Sequence, residues 1–398
     1  MTALAIFAFI AALLGSIMFH EWGHFAAARR FGMKATQFFV GFGPTIWSVR
    51  RGETEYGVKA IPAGGFVRIS GMTPSEPLPE EDQARAFYRQ PASRRAVVLA
   101  AGSAMHMVLA VALIIVALTV FGTATASTTI DEVSECLPQS GTECTDSDPA
   151  SPAAAAGLRS GDRVLAVDGR DVEEWSDFTT VVRDSPDTAI SIEVDRAGSQ
   201  VSLTATPAAV ERDVDGSATT VGVIGLTPTV VVQRSGPVEA VTTAASGLLR
   251  LTSGTFAALV SIPSKVPELF GQTFGGQPRG VEDLVGPVGI AQGSVAILSE
   301  ELPLSARIAD FLLLIAGLNV FIGWFNILPL LPLDGGHLAV LGYERWKVRR
   351  ARKRGSPDPG PVDVTRFAAF AYVFLFLLVG LSLLLLTADI VNPVDLGL

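Results

Sequence analysis

The chain has 398 residues, 49% of them hydrophobic and only 17% charged, with a formal net charge of −9 and a mean hydropathy of +0.42. This composition is too apolar for an ordinary soluble protein and reads as a membrane protein. The net acidity argues against a nucleic-acid partner.

The first element is an uncharged run from Ala3 to Phe19 that continues into "FHEWGHFAAARR". Crossing a ~30 Å hydrocarbon core takes roughly 20 apolar residues, and four stretches meet that length: 3–26, 96–121, 308–331 and 367–387. The first reads as a retained anchor, because its positive charges, Arg29 and Arg30, follow the apolar run instead of preceding it. Its inner end carries His20, Glu21, Trp22, Gly23 and His24, the pattern H-E-x-x-H. On a helix, residues four apart share a face, so both imidazoles can converge on one cation with Glu21 beside it as general base. Alone, the pattern also fits helix-end histidines satisfied by hydrogen bonds. Depth argues otherwise: a helix from Ala3 reaches His20 after about 25 Å, and ionisable groups inside a membrane are functional candidates.

Residues 28–95 carry 11 basic and 6 acidic residues, which predicts a cytoplasmic location. Alternating β-branched, aromatic and polar residues punctuated by Gly and Pro predict a small membrane-hugging sheet, followed by the solvated linker "TPSEPLPEEDQ". The strand pattern around "VGFGPTIW" marks an edge that can accept an extended segment by strand pairing. The second span, 96–121, contains "AGSAMHM", with Ser103 and His106. His106 can bond a neighbouring helix, line a water path or serve as an extra ligand.

Residues 122–307 carry 11 basic and 25 acidic residues, which predicts an extracytoplasmic segment together with both chain ends. Its two cysteines, Cys136 and Cys144, are the only ones in the chain; an oxidising compartment permits a disulfide, and their spacing does not decide it. Within 122–234, the stretch "SPAAAAGLRSGDRVLAVDG" resembles the hallmark of a PDZ domain, with a core at 127–208. Residues 235–307 are apolar but interrupted by Gly, Ser and Thr, and read as helices lying at the outer leaflet.

The third span, 308–337, runs inward and is broken by Pro329 and Pro332 ahead of Asp334. If helical to that point, it brings Asp334 to about the depth of His20, and Gly335 and Gly336 permit a turn that aims the carboxylate sideways. Two histidines and one carboxylate leave a fourth position open, as in a catalytic zinc site. His337, directly after the glycine pair, reads as structural. The basic loop 338–366, with "RWKVRRARKR", is predicted cytoplasmic beside anionic lipid, and 367–398 holds the fourth span and a tail.

The combination of "HEWGH", "VGFGP", "IPAGGFVRISG", "NILPLLPLDGG" and a PDZ-like insert resembles the bacterial site-2 proteases, the zinc intramembrane proteases. The expected fold class is an α-helical polytopic membrane protein with four transmembrane helices, a membrane-associated β-sheet or hairpin and an inserted extracytoplasmic α+β PDZ-like domain. The resemblance implies one Zn²⁺ on His20, His24 and Asp334, Glu21 as catalytic base, and Asn326 near the substrate strand. It also implies a "GFGP" hairpin, Gly41, Phe42, Gly43 and Pro44, dipping into the membrane beside the site. Implied partners are the lipid bilayer and single-pass substrates such as anti-sigma factors, first trimmed outside by another protease. Departing from the family's usual "AGP" and Asn, span two has Ser103 and His106. A membrane scaffold with a structural metal, and a hydrolase of some non-peptide membrane substrate, are the alternative readings.

Overall fold

Hydrocarbon offers no partner to a backbone N–H, so an uncharged run such as Ala3–Phe19 is stable there only as a helix. The run forms part of α1, Thr2–Arg30. The computed structural model describes residues 2–137, 144, 148–214, 217–280 and 283–394. They form two compact units, one from Met1–Gly122 with Arg234–Leu398 and one from Thr123–Gln233.

In the first unit, α1 is followed by β1 (Ala35–Arg51) and β2 (Thr54–Ile69), then by the short α2 (Glu80–Gln83) and by α3 (Ala92–Val116), which ends in a wider turn to Phe121. The long strands fold back on themselves. Phe38 pairs with both Tyr56 and Val67, and Phe39 with both Gly57 and Phe66, so residues 37–40 are enclosed on both sides. The stretches with one strand partner are 45–51 and 65–69. Within "VGFGPTIW", Val40 is interior, because Gly41 and Gly43 adopt φ of +84° and +82° and turn the chain back into the same sheet, whereas Thr45 and Trp47 lie on the edge stretch 45–51.

Residues 235–307 are largely helical, in line with the sequence reading, but the interruptions by Gly, Ser and Thr do not divide them: they open with one 38-residue helix, α6 (Pro237–Phe274), with Pro263 and Pro267 inside it. Two prolines four residues apart lie on one face and remove two N–H donors without ending the helix. α7 (Pro287–Ser299) and α8 (Leu304–Ile327) follow. The backbone then leaves the helix at Leu328–Leu333, and α9 (Asp334–Lys353) begins at the aspartate itself. Much of the expected basic loop is thus helical, since "YERWKVRRARK" contains neither Gly nor Pro. α10 (Ala368–Val391) closes the unit. Among the described residues five helices, α1, α3, α6, α8 and α10 with their flanking turns, are long and apolar enough to cross a membrane. Ala28, Met33, Ile69, Phe87, Val98, Leu99 and Leu341 form a buried cluster that joins α1, the sheet, α3 and α9.

The second unit pairs β3 (Thr123–Val133) with β10 (Leu226–Gln233) and with β4 (Arg163–Val167), in the order β10-β3-β4-β6-β7. Here β6 is Ile190–Arg196 and β7 Ser199–Ala205, and the two-residue β5 (Arg170–Asp171) pairs with β4. A separate hairpin comprises β8 (Ala208–Val214) and β9 (Ser217–Val223). Helices α4 (Pro152–Ala155) and α5 (Trp175–Arg183) contribute Ala153 and Phe178 to a core with Ile130, Val164, Ile192 and Val194. Cys136 and Cys144 are disulfide-bonded.

The Asp162 side chain, 1% exposed, accepts two bonds from Arg196 at 2.7 and 2.8 Å and one from the Arg159 N–H at 2.9 Å. The Arg196 guanidinium, foremost, holds its carboxyl below the usual carboxylate range. A depressed folded pKa contributes stability above the unfolded Asp value, about 3.9, and that stability disappears as pH falls through the folded value. We therefore expect this unit to lose stability below about pH 4, with Asp162→Asn lowering its melting temperature at pH 7 and flattening the acid limb. Calorimetry across that range checks it; an unchanged acid limb counts against the assignment.

Candidate metal centre

His20 and His24 occupy successive turns of one face of α1, 8% and 7% exposed, with their Nε2 atoms 3.1 Å apart. The His24 Nδ1–H donates to the Val98 carbonyl of α3 at 2.7 Å. That bond selects the tautomer whose Nε2 lone pair is available to a metal. Gly102, one turn further along α3, faces the two rings. A Cβ at that position would lie 2.4 Å from His24 Nε2 and 2.7 Å from His20 Nε2. Glycine is thus the residue that lets α3 close over both imidazoles. Gly23 serves the same approach from α1, because a Cβ there would lie 2.7 Å from the Ala101 carbonyl oxygen.

Asp334 arrives from the α8–α9 break. Pro329 and Pro332 keep Leu328–Leu333 from continuing α8. Gly335 and Gly336 then allow a fold so tight that a Cβ on Gly335 would sit 1.9 Å from the Ile327 carbonyl oxygen. Asp334 Oδ2 lies 3.4 Å from His20 Nε2 and 3.2 Å from His24 Nε2. All three donors fall within 4.8 Å of one another. Tetrahedral zinc with bonds of ~2.0–2.1 Å separates its donors by about 3.3 Å, so the triangle fits that ion. The chemistry fits too. Asp334 Oδ2 is buried without a hydrogen-bond partner, and an orphaned carboxylate oxygen facing two imidazole lone pairs is satisfied by a cation.

Glu21 is half-buried, and its Oε2 accepts the Val67 N–H of β2 at 2.9 Å. This fixes an acid beside the donors without making it one of them. Asn326 lies in the last turn of α8, just before the break. Phe42 is 44% exposed and stacks on Phe66 with centroids 6.0 Å apart, between Gly41 and Gly43. No hydrogen bond among the described residues ties Asn326 or Gly41–Gly43 to the three donors.

His106 is buried at 1% exposure, its ring 5.0 Å from that of His20. Asn319 Nδ2 donates to Ser16 Oγ at 3.0 Å and to the Ile315 carbonyl at 2.8 Å, leaving its Oδ1 to accept from His106 Nδ1 at 2.7 Å. Of the three roles open to it in the sequence, His106 takes the bond to a neighbouring helix. Val98 and Gly102 escaped the sequence reading, since neither a backbone carbonyl nor a missing Cβ announces its partner. His337 is half-buried in the first turn of α9.

The profile of Peptidase family M50 matches residues 8–357. The chain belongs to this family. As an M50 peptidase it is 37% identical to the zinc metalloprotease Rip1 of Mycobacterium tuberculosis (strain ATCC 25618 / H37Rv), over 99% of this chain and 98% of that one. It is 36% identical to Rip1 of Mycolicibacterium smegmatis, over 100% and 99%. It is 28% identical to the regulator of sigma-E protease RseP of Salmonella typhimurium, over 94% and 96%. This M50 chain is a site-2-type zinc metalloprotease.

Proposed function

We propose that His20, His24 and Asp334 hold the zinc, that Glu21 is the catalytic base, and that the bonds cut lie in the membrane segments of single-pass proteins. The observation that carries this reading is the triangle formed by two histidines of the apolar helix α1 and the aspartate that opens α9, within 4.8 Å, with a carboxylate anchored alongside. Three protein donors suit a catalytic site with a fourth position open, whereas structural zinc sites are closed by four. That favours an enzyme over a scaffold.

Zinc bound there supplies Lewis acidity toward water and the scissile carbonyl. Glu21 accepts the proton of the attacking water on its carboxylate and returns it to the leaving amine nitrogen. The Val67 N–H holds that carboxylate in place through both transfers. Asn326 donates from its side-chain amide to the developing oxyanion. A helical substrate hides its carbonyls in internal bonds and has to unwind first. Residues 65–69 form the edge nearest Glu21 and receive the extended segment by strand pairing; Gly41, Phe42 and Gly43 shape the apolar floor beside it.

Four helices span, α1, α3, α8 and α10, with α6 on the outer surface; α6 has the lowest mean hydropathy of the five, 1.3 against 2.0 to 2.7. The chain ends and Thr123–Gln233 are extracytoplasmic, a placement that the charge balance of the loops supports. The name of the Salmonella relative, a regulator of sigma-E protease, supports substrates of the anti-sigma-factor kind.

Thr123–Gln233 acts as a PDZ-like recruiter of trimmed substrates. A groove of about 680 Å³ between β3 and α5, lined by Thr125, Ser127, Trp175 and Thr179, supports this role. Thr123 and Gln233 are strand partners, so the unit can be replaced by a short linker. Reconstituted cleavage of a single-pass substrate tests the reading. Mass spectrometry of the products is expected to place the cut inside the apolar segment. Deleting Thr123–Gln233 is expected to raise KM for trimmed substrate with little change in kcat. A cut outside the membrane segment refutes the proposal, and an unchanged KM with newly cleavable untrimmed substrate makes the unit a gate instead.

A further inference from the structure

We propose that a buried ion pair remote from the reacting atoms, Arg95 with Glu344, is a positioning pair that places Asp334 for metal binding. The inference rests on the assignment of His20, His24 and Asp334 as zinc donors.

Two elements have to meet at the metal, and α3 touches both. Its buried face comprises Arg95, Val98, Leu99, Gly102, Ser103 and His106. Val98 orients His24, and Gly102 clears space for both imidazoles. One turn before Val98, Arg95 Nη1 donates to Glu344 Oε1 at 2.7 Å and Nη2 to Oε2 at 3.3 Å. Arg95 and Glu344 are each 8% exposed. Glu344 Oε2 also accepts the Val362 N–H at 3.1 Å, and the Arg95 guanidinium lies 5.3 Å from the centre of the Phe87 ring.

Glu344 and Asp334 belong to one helix, α9, and ten residues of helix span about 15 Å. Fixing one end of such a rod sets the direction of the other. The α8–α9 break makes this necessary. Because Leu328–Leu333 is not helical, α8 does not carry α9 as a continuous rod, and Asp334 is the first residue after the joint. Leu341 packs with Val98 and Leu99, but apolar contact is non-directional and tolerates sliding. A two-bond fork between guanidinium and carboxylate fixes distance and angle together.

The energetics point the same way. A buried ion pair gives up hydration that its own attraction barely recovers, so an apolar pair of similar volume serves stability equally well, and the better-attested use of such pairs is to specify register. In this chain the register is that of α9 against the face of α3 that orients His24.

The test uses the full-length protein in detergent, with zinc affinity from competition against a chelator, the visible spectrum of the cobalt-substituted protein, and the thermal midpoint. The double variant Arg95→Met/Glu344→Met is expected to unfold at or above the wild-type midpoint, yet to bind zinc about 10–100-fold more weakly, the range seen when groups supporting metal ligands are removed. Its cobalt spectrum is expected to change with the altered carboxylate ligation. The exchange Arg95→Glu/Glu344→Arg is expected to recover part of the affinity. Asp389→Asn, which breaks the buried Arg279–Asp389 pair elsewhere in the same unit, is expected to lower the midpoint without changing zinc affinity. Wild-type zinc affinity and cobalt spectrum in the double variant would overturn the proposal. So would a loss of affinity that follows the midpoint equally in Asp389→Asn. None of these readouts uses a substrate, so intact zinc binding without membrane-segment cleavage would sink the functional reading and leave the positioning pair standing.

Discussion

Glu21→Gln is expected to lower kcat by about 10²–10⁴-fold, the range associated with loss of a general base, while the protein keeps one zinc per chain. Glutamine preserves the length and shape of the side chain, and its carbonyl oxygen still accepts the Val67 N–H that Glu21 accepts at 2.9 Å. The amide cannot take a proton from water, and that is the only function removed. Because Glu21 is not among the three proposed donors, His20, His24 and Asp334, metal content is expected to stay constant. KM is expected to change little, since the proposed substrate edge at 65–69 is untouched. His20→Ala should behave differently and lose zinc and activity together. Turnover of a reconstituted transmembrane peptide alongside zinc analysis separates the two patterns; a Glu21→Gln protein as active as wild type would remove Glu21 from the chemistry.

Gly102→Ala is the second large effect, and it is a prediction about a residue with no chemistry of its own. The added Cβ would stand 2.4 Å from His24 Nε2 and 2.6 Å from His20 Cε1, distances at which something has to move. The neighbours are the metal-facing edges of two packed imidazoles, not flexible chain ends. Either the rings leave the triangle or α3 retreats, and retreat also breaks the Val98 bond that orients His24. Zinc affinity should fall at least 10–100-fold, with activity following. Gly15→Ala on α1 is the control. Nothing lies within 4 Å of that position, and alanine in a helix is favoured by about 0.5–1 kcal/mol, so zinc binding and stability should hold. Equal zinc affinity in Gly102→Ala and Gly15→Ala would contradict the geometry.

What could be read in the sequence follows from how local each signal is. The spacing of His20 and His24 is a property of one helix, and the run Pro329, Pro332, Asp334, Gly335, Gly336 announces a break followed by an aimed acid. Tertiary contacts announce nothing of the kind. Val98 acts through a carbonyl that every residue has, Gly102 through an absent atom, and Arg95 through a partner 249 positions away. Alternation marks a strand without showing how many neighbours it has, so the sequence does not separate Val40, which has two, from Thr45 and Trp47, which have one. The length of α6 is not legible because Gly, Ser, Thr and Pro are poor helix formers, and nothing local shows that Pro263 and Pro267 fall inside one continuous helix. His106 kept three readings open until Asn319, from a different helix, met it.

X-ray absorption at the zinc edge, on the full-length protein and on Asp334→Ala, tests the central claim most directly. We expect one zinc per chain with two imidazole nitrogens and carboxylate or water oxygen at ~2.0–2.1 Å, and a changed shell with weaker retention in the variant. A zinc environment identical in wild type and Asp334→Ala, or a wild-type shell without imidazole, would contradict it.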